Sequence, residues 1–560
     1  MPITLDRRTL LAGGAAALLA RPVFAASGSG VFATPGHSGF ADALADAVPE
    51  VLDADLCIVG AGAAGMTLAM QLADAPIRIL LLESGGLDID GATQGLYRGA
   101  NTGLPYFDLT ACRLRYLGGT TNHWGGYCRP NDPIDYQGRP DLGVPAWPLT
   151  AADLDPYIHR AAAMLGLTPA GWDPAVQLRA RGLPENDLLD AHSDALMTKV
   201  FQISQQVRFR PLYRDTLAGQ GNLRVLLHAN VTHIGLDPDG RRVERLTVRA
   251  LNGRTAVVRA KRVVLACHAI ENARLLLSSD DVMPAGVGNA HGHVGRHFME
   301  HAHVISGVYI PAKGRFPAIY DSDYMASINV NANLGLTEAA MRRRGIMQYY
   351  CRFLVPQENE AVRAAMGRIK DAFWEPFDPA FLDDIAEVMG NLPGAASAVA
   401  DKLTTTRGDA RYYLLDHRIE QAPNPASRIV LSAERDALGN RRADLHWRLS
   451  DLDYKTFQHG QAAVAEAMTA LGMGEFRLRT LDAEEVDRKV RGHFHHIGTT
   501  RMSERPEDGV VDAQCRVHGI ENLYVAGSGV FPTAGYSGPT MMLIALAIRL
   551  ADHLKGGTAA

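Results

Sequence analysis

Six residues constrain this chain more than any others. Gly60-Ala-Gly62-Ala-Ala-Gly65 stands between an apolar run, Asp55-Leu-Cys-Ile-Val59, and helix-forming residues from Ala63 to Leu72. A second apolar run, Ile77 to Leu82, ends in Glu83. Short apolar runs bounded by glycine read as buried parallel strands, so the segment predicts a βαβ unit. The glycine spacing has a physical purpose. The first glycine permits a tight turn, the second lets the backbone approach a pyrophosphate, and the third lets the helix lie close to the sheet. The helix start then turns its N–H groups and positive dipole end toward phosphate. Glu83, 18 residues past Gly65, is placed to accept hydrogen bonds from a ribose. A purely structural glycine turn is the alternative, and the two strands and the acid together argue against it. The pattern does not distinguish FAD from NAD.

Further units of the same kind follow. Arg262-Val-Val-Leu-Ala266 reads as a buried strand, with a helix from Ile270 to Leu277 behind it. Leu523 to Ala526 is another strand. Pro539 suits the first turn of a helix, because its missing N–H needs no partner there. Met541 to Leu554 continues that helix, and Gly556-Gly557 stops it. Units at both ends of the chain predict one α/β, Rossmann-like domain made of residues 51–300 and 483–557. The middle, 301–482, has an α+β texture with charged helices and Pro376, Pro379, Pro423 and Pro425. It reads as an inserted substrate-binding domain built on a mixed sheet. Residues 26–50, rich in Gly, Ser, Ala and Asp, read as a linker.

A chain of 560 residues exceeds one small core, so two or three lobes are expected. Net charge is −5 with no long basic run, which gives nucleic-acid binding no support. Six scattered cysteines form no CxxC or CxxCH, which argues against attached haem and a cysteine-held iron–sulfur cluster. At the N-terminus, Arg7-Arg8-Thr-Leu-Leu leads into an apolar run to Ala20, and Val23-Phe24-Ala25 offers a cleavage site. Residues 1–25 therefore read as a twin-arginine signal peptide, with the periplasm as destination. No other segment is long and apolar enough to span a bilayer.

Three further clusters carry side chains capable of chemistry. Arg115-Tyr-Leu-Gly118-Gly119-Thr-Thr-Asn122-His123-Trp124-Gly125-Gly126 would let backbone lie against a flat ring, though a plain turn reads equally well. His291, His293, His297, His301 and His303 have metal-like spacing but no carboxylate pattern, so a polar loop at the domain junction and no metal is the expectation. His495-His496 precedes Gly498-Thr499. Histidine accepts protons near neutral pH, and the strand and helix that follow bring this loop back toward the dinucleotide site.

These segments together resemble the glucose–methanol–choline (GMC) family of flavoprotein oxidoreductases. Trp147-Pro-Leu-Thr-Ala-Ala-Asp-Leu-Asp-Pro-Tyr157, Ala269-Ile-Glu-Asn-Ala-Arg-Leu-Leu-Leu277 and Gly295-Arg-His-Phe-Met-Glu300 add to the likeness. It is nearest to the bacterial sugar and polyol dehydrogenase branch and pyranose 2-oxidase. The resemblance implies FAD in a p-hydroxybenzoate hydroxylase-like fold, and oxidation of a sugar, glycoside or polyol alcohol. His495 falls on the family's base. Gly60, Gly62, Gly65 and Glu83 fall on its cofactor contacts. Gly118, Gly119, Asn122, His123, Trp124 and Gly125 would lie along the isoalloxazine, Val231 at the adenine, and Gly527, Pro539 and Thr540 at the pyrophosphate or pyrimidine end. His123 aligns with a histidine that binds flavin covalently in pyranose 2-oxidase, so covalent and noncovalent FAD are both open. A separate electron acceptor is implied, a quinone, cytochrome c or small subunit; an O₂-using oxidase and a non-redox lyase are the alternatives.

One position departs from the pattern. The family has Asn or His at 538, bonded to the substrate hydroxyl; this chain has Gly538. A missing catalytic hydrogen bond typically costs about a hundred- to thousand-fold in rate. His496, Tyr536 or Ser537 would have to substitute, or the substrate supplies its own polar group, or alcohol oxidation is not the main activity.

Overall fold

The computed structural model describes residues 39–312, 316–321, 330–356 and 411–556. The expected signal peptide, most of the expected linker, Pro376 and Pro379 lie outside them.

The dinucleotide unit forms where the glycines put it. Strand β2 (Val51–Val59) is half exposed in its first residues and buried in its last, as a strand entering a covered parallel sheet must be. Gly60 turns the chain with φ +103°. Helix α1 (Ala63–Gln71) follows, and β3 (Ile79–Leu82) returns parallel to β2. A Cβ on Gly65 would collide with the Gly60 carbonyl, so close helix packing demands glycine there. The sheet continues with β6 (Leu223–Leu227), β7 (Asn230–Leu236), β8 (Val243–Arg249) and β9 (Thr255–Leu265), and with β17 (Leu523–Val525) from the far end of the chain. Its order is β6-β3-β2-β9-β8-β7, with β17 pairing β9 in parallel. Helices Ala269–Ser278 and Thr540–Gly556 lie where the sequence places them.

Three expectations about boundaries need correction. Gly39–Asp42 (β1) is an edge strand paired in parallel with β6, although it falls inside the expected linker. Its four residues, Gly-Phe-Ala-Asp, are too few to show a strand pattern, so the hydrogen bonds alone reveal it. Tyr127–Cys128 (β4) and Leu196–Ile203 (β5) fall inside 51–300 yet belong to the second sheet. Conversely, the hairpin β14–β15 (Arg428–Arg435 and Arg441–His446) falls inside 301–482 yet packs on helix Ala269–Ser278, tied by Arg274 to Asp436 at 2.6 Å.

The second sheet combines β4 and β5 with β10 (His303–Pro311), β11 (Val330–Leu336), β12 (Tyr349–Leu354), β13 (Tyr413–Ile419) and β16 (Gly474–Arg477). Its order is β16-β10-β13-β12-β11-β5-β4. One face holds Tyr349, Cys351, Phe353 and Leu415 in a core against helix Asp451–Ala470. A Cβ on Gly460 of that helix would meet the Tyr349 ring, so glycine lets helix and sheet touch. The opposite face turns toward the dinucleotide domain. Among the described residues no helix is long and apolar enough to cross a membrane.

Candidate active site

A cleft of about 580 Å³ runs from the α1 N-terminus to the His495 loop. Its inner end fits a dinucleotide. Gly62 and Gly527 both line it, and nothing lies within 4 Å of the Cβ either would carry. That empty space lies beside the first N–H groups of α1, where a pyrophosphate is favoured. Glu83 also lines the cleft, held by the Ala61 N–H at 2.9 Å on one oxygen and the Gly85 N–H at 2.8 Å on the other. Gly60, Gly119, His123, Trp124, Gly125, Pro539 and Thr540 complete this part of the wall. His123 is exposed there, with Nε2 2.9 Å from the Tyr116 hydroxyl. Val231 lines a small adjoining cavity that shares Gly60, Ser84, Arg115 and Cys267 with the cleft.

Gly65, Gly118 and Asn122 stand behind the cleft wall and shape the loops that form it. Gly65 is consumed by helix packing. Gly118 turns its loop with φ +87° and donates to Ala61 O. The Asn122 amide is spent inside the loop, donating to Leu117 O at 2.9 Å and accepting from Arg210 N.

At the outer end, two segments far apart in sequence form an antiparallel clamp. Met299 exchanges both backbone bonds with Ile497, and His303 exchanges both with Arg491. Between these bridges one segment advances from 299 to 303 and the other from 491 to 497, two residues more. The excess is absorbed by a bulge in which Phe494 takes φ +61°. Glu300, fully buried, accepts the backbone N–H of His493 on one oxygen and of His495 on the other. The bulge therefore turns His493 and His495 into the cleft with their rings stacked 5.9 Å apart.

The hydrogen bonds fix the proton on each ring. His301 Nε2 lies 3.0 Å from Gly535 O, a pure acceptor, so that nitrogen donates. Burial holds the His301 pKa down at about 4, so the ring is neutral and its Nδ1 accepts. His495 Nδ1, 2.7 Å away, must donate to it, leaving His495 Nε2 unprotonated. Burial, then His301 and Arg418, hold the His495 pKa well below the usual value. His493 donates from Nδ1 to His301 O at 2.8 Å, so its Nε2 is also an acceptor.

His496 is different. His268 caps its helix by accepting the Ile270 N–H on Nδ1, so its Nε2 donates to His496 Nδ1 at 2.8 Å. His496 Nε2 then donates to the Tyr106 hydroxyl at 2.8 Å. Both His496 nitrogens are engaged. Tyr536 Oη accepts from Arg129, and its ring lies 3.7 Å from Lys199 Nζ. The Ser537 hydroxyl is buried and does not line the cleft. None of the three therefore stands in for the side chain missing at 538. A Cβ on Gly538 would lie 3.5 Å from His495 Nε2, so that position does face the candidate base.

The histidine cluster at 291–303 divides between two tasks. His293 and His297 stack in a loop, and His301 and His303 build the site. No group of metal-ligating residues occurs among the described residues. Sequence reading missed Glu300, His301 and His493 as site residues. Their segments were marked, but the pairing across the clamp was not.

The profile of the family described as GMC oxidoreductase matches residues 423–547, and that of FAD dependent oxidoreductase matches 55–298. A C-glycoside 3-oxidase of Microbacterium trichothecenolyticum is 24% identical, with 78% of this chain and 75% of that protein covered. A 6'''-hydroxyparomomycin C oxidase of Streptomyces lividus is 24% identical over 90% and 93%. The fructose dehydrogenase large subunit of Gluconobacter japonicus is 22% identical over 90% and 98%. Among solved structures, a pyridoxine 4-oxidase superposes with a TM-score of 0.54 at 18% identity, over 89% of this chain and 98% of that one.

Gly62 has an ordinary φ of −83°, so a side chain there strains no backbone and only fills the cleft. Gly62→Val is expected to fold with unchanged far-UV dichroism but to purify with much less FAD per polypeptide. Full flavin occupancy would mean the cofactor does not pass Gly62.

Proposed function

The chain is an FAD-dependent GMC oxidoreductase acting on CH–OH groups, and from that premise we propose that it oxidises a sugar, glycoside or polyol with His495 as general base. One observation carries the reading: the Gly535–His301–His495 chain leaves an unprotonated Nε2 facing the cleft. FAD, when bound, supplies the acceptor for the hydride leaving the alcohol carbon. The protein's own task is proton transfer and placement. His495 Nε2 takes the hydroxyl proton, while Nδ1 shares the resulting charge with His301. His493 offers a second acceptor beside it, suited to the neighbouring hydroxyl of a vicinal diol. Two adjacent acceptors favour a polyol over a simple alcohol.

Electrons pass on to a separate acceptor of quinone or cytochrome type, or one held by a partner subunit; the large-subunit relative supports this. Residues 1–25 carry the folded flavoprotein to the periplasm by the twin-arginine route. Replacing Arg7 and Arg8 by lysine should leave it in the cytoplasmic fraction. The exposed His123 on the cleft wall supports a covalent flavin link. Acid precipitation checks it: flavin left wholly in the supernatant rejects the link.

Anaerobic mixing with sugars, glycosides and polyols is expected to bleach the oxidised-flavin absorbance. Because burial keeps the His495 pKa low, protonation should slow bleaching only well below pH 6.5. His495→Ala should slow it by about 10²–10⁴-fold. Unchanged bleaching in that variant would reject the base. Rapid reoxidation by air would identify an oxidase, and product without bleaching a lyase.

A further inference from the structure

The sheet that roofs the cleft carries polar atoms for which the protein supplies no partner. Cross-strand register sets His303 and Tyr350 beside Arg418, and Arg352 beside Asp416, all on one face. Gly335 stands opposite Tyr350, so Asn333 and Asn331 on the same strand share that face. Lys199 and Phe201 stand opposite those two asparagines and extend it. The face reaches the active site at its His303 end. The His303 ring lies 4.2 Å from that of His493, and Phe201 and Tyr350 pack on Tyr536 at 5.9 and 5.6 Å.

Charge on this roof is not balanced. Asp416 is already claimed by His303 Nδ1 at 2.8 Å and by Arg418 at 2.8 and 2.7 Å. Lys199 is matched by Asp132 at 2.6 Å. Arg352 is less well matched: its Nε is buried and unbonded, and Asp416, opposite it across the strands, is already bonded to His303 and Arg418. Burial, then the neighbouring Arg418, act against its charge and outweigh the attraction of Asp416. Asn331 and Asn333, 5% and 3% exposed, each leave Oδ1 unbonded. A buried guanidinium N–H without an acceptor and orphaned amide oxygens each cost free energy, which a ligand would recover.

We propose that this roof is an anion subsite, and that the substrate is a sugar acid, an aldonate or a uronate. Its carboxylate binds Arg352, its hydroxyls donate to Asn331 and Asn333, and a further hydroxyl reaches His495. Guanidinium suits this task because its fork of donors matches a carboxylate in geometry and charge. A neutral sugar would leave Arg352 sharing Asp416 with His303 and Arg418. The inference rests on the reading of the cleft as a site of sugar or polyol oxidation and narrows it.

The test uses flavin-loaded enzyme and two probe pairs, D-gluconate against D-glucitol and D-glucuronate against D-glucose. Anaerobic flavin bleaching is followed in wild type and in Arg352→Met, which keeps the volume of the side-chain stem without its charge. In the wild type at least one acid should half-saturate at a concentration about tenfold or more below its neutral partner. In Arg352→Met that ratio should collapse toward one. Equal saturation by acid and neutral sugar in the wild type, or a ratio that Arg352→Met leaves intact, overturns the proposal. If none of the four sugars bleaches the flavin, the oxidation reading fails separately. The subsite is then judged by binding: it stands if gluconate or glucuronate raises the melting temperature of wild type and not of Arg352→Met, and falls otherwise.

Discussion

The hydrogen bond between His301 and His495 is the contact on which the proposed chemistry depends. Two neutral imidazoles joined through their Nδ1 atoms do not fix who donates. The Gly535 carbonyl decides it by taking the other His301 proton. Everything that holds Gly535 therefore acts on the candidate base. Its N–H donates to Glu420, which is itself held in a bidentate pair by Arg139 at 2.7 Å on each oxygen. Its φ of +59° and the Asp135 carboxylate 3.3 Å from where a Cβ would stand leave room only for glycine. The second sheet supplies Glu420's setting and the first supplies the loop. The tautomer of His495 is thus set by the docking of one domain on the other.

Buried charge recurs wherever the two domains meet the cleft. Glu271 receives Arg113 and Arg115 at 2.9 Å and Arg274 at 3.2 Å. Burial would raise its carboxyl, but the three guanidinium groups outweigh that and hold it at about 2. Such clusters add little net stability, because desolvation offsets much of the attraction. They do impose geometry: each partner left alone would be a costly buried charge, so alternative dockings are penalised. Arg352 is the least satisfied of these cations: it shares Asp416 with Arg418 and His303 and leaves its Nε unbonded.

What the sequence made legible follows from range. The glycine loop, its strands and Glu83 are local patterns, and the structure places them as the spacing implies. Pro539 and the final helix are local too. The sheet to which Leu196–Ile203 belongs is decided by hydrogen bonds to residues more than a hundred positions away, and its apolar pattern carries no address. The clamp between 299–303 and 491–497 is the clearest case. His301 was visible only as one histidine among five, and His493 not at all. Their function comes from a mismatch of two residues between paired segments, which no single window of sequence contains.

Gly538 gains a physical meaning from this arrangement. A side chain there would meet His495 and the Tyr127 carbonyl at 3.5 Å, an ordinary contact, so packing does not demand glycine. The backbone and its neighbours tolerate a Cβ at 538, so the reason for glycine lies outside local packing. Binding energy from parts of a substrate remote from the reacting carbon serves to position that carbon. The proposed subsite at Arg352, Asn331 and Asn333 would provide remote contacts of that kind, and His493 a second acceptor beside the candidate base. In the proposed binding mode the substrate is held from the roof, so its hydroxyl would need no partner at 538, and the space glycine leaves would admit a polyhydroxylated carbon chain next to His495.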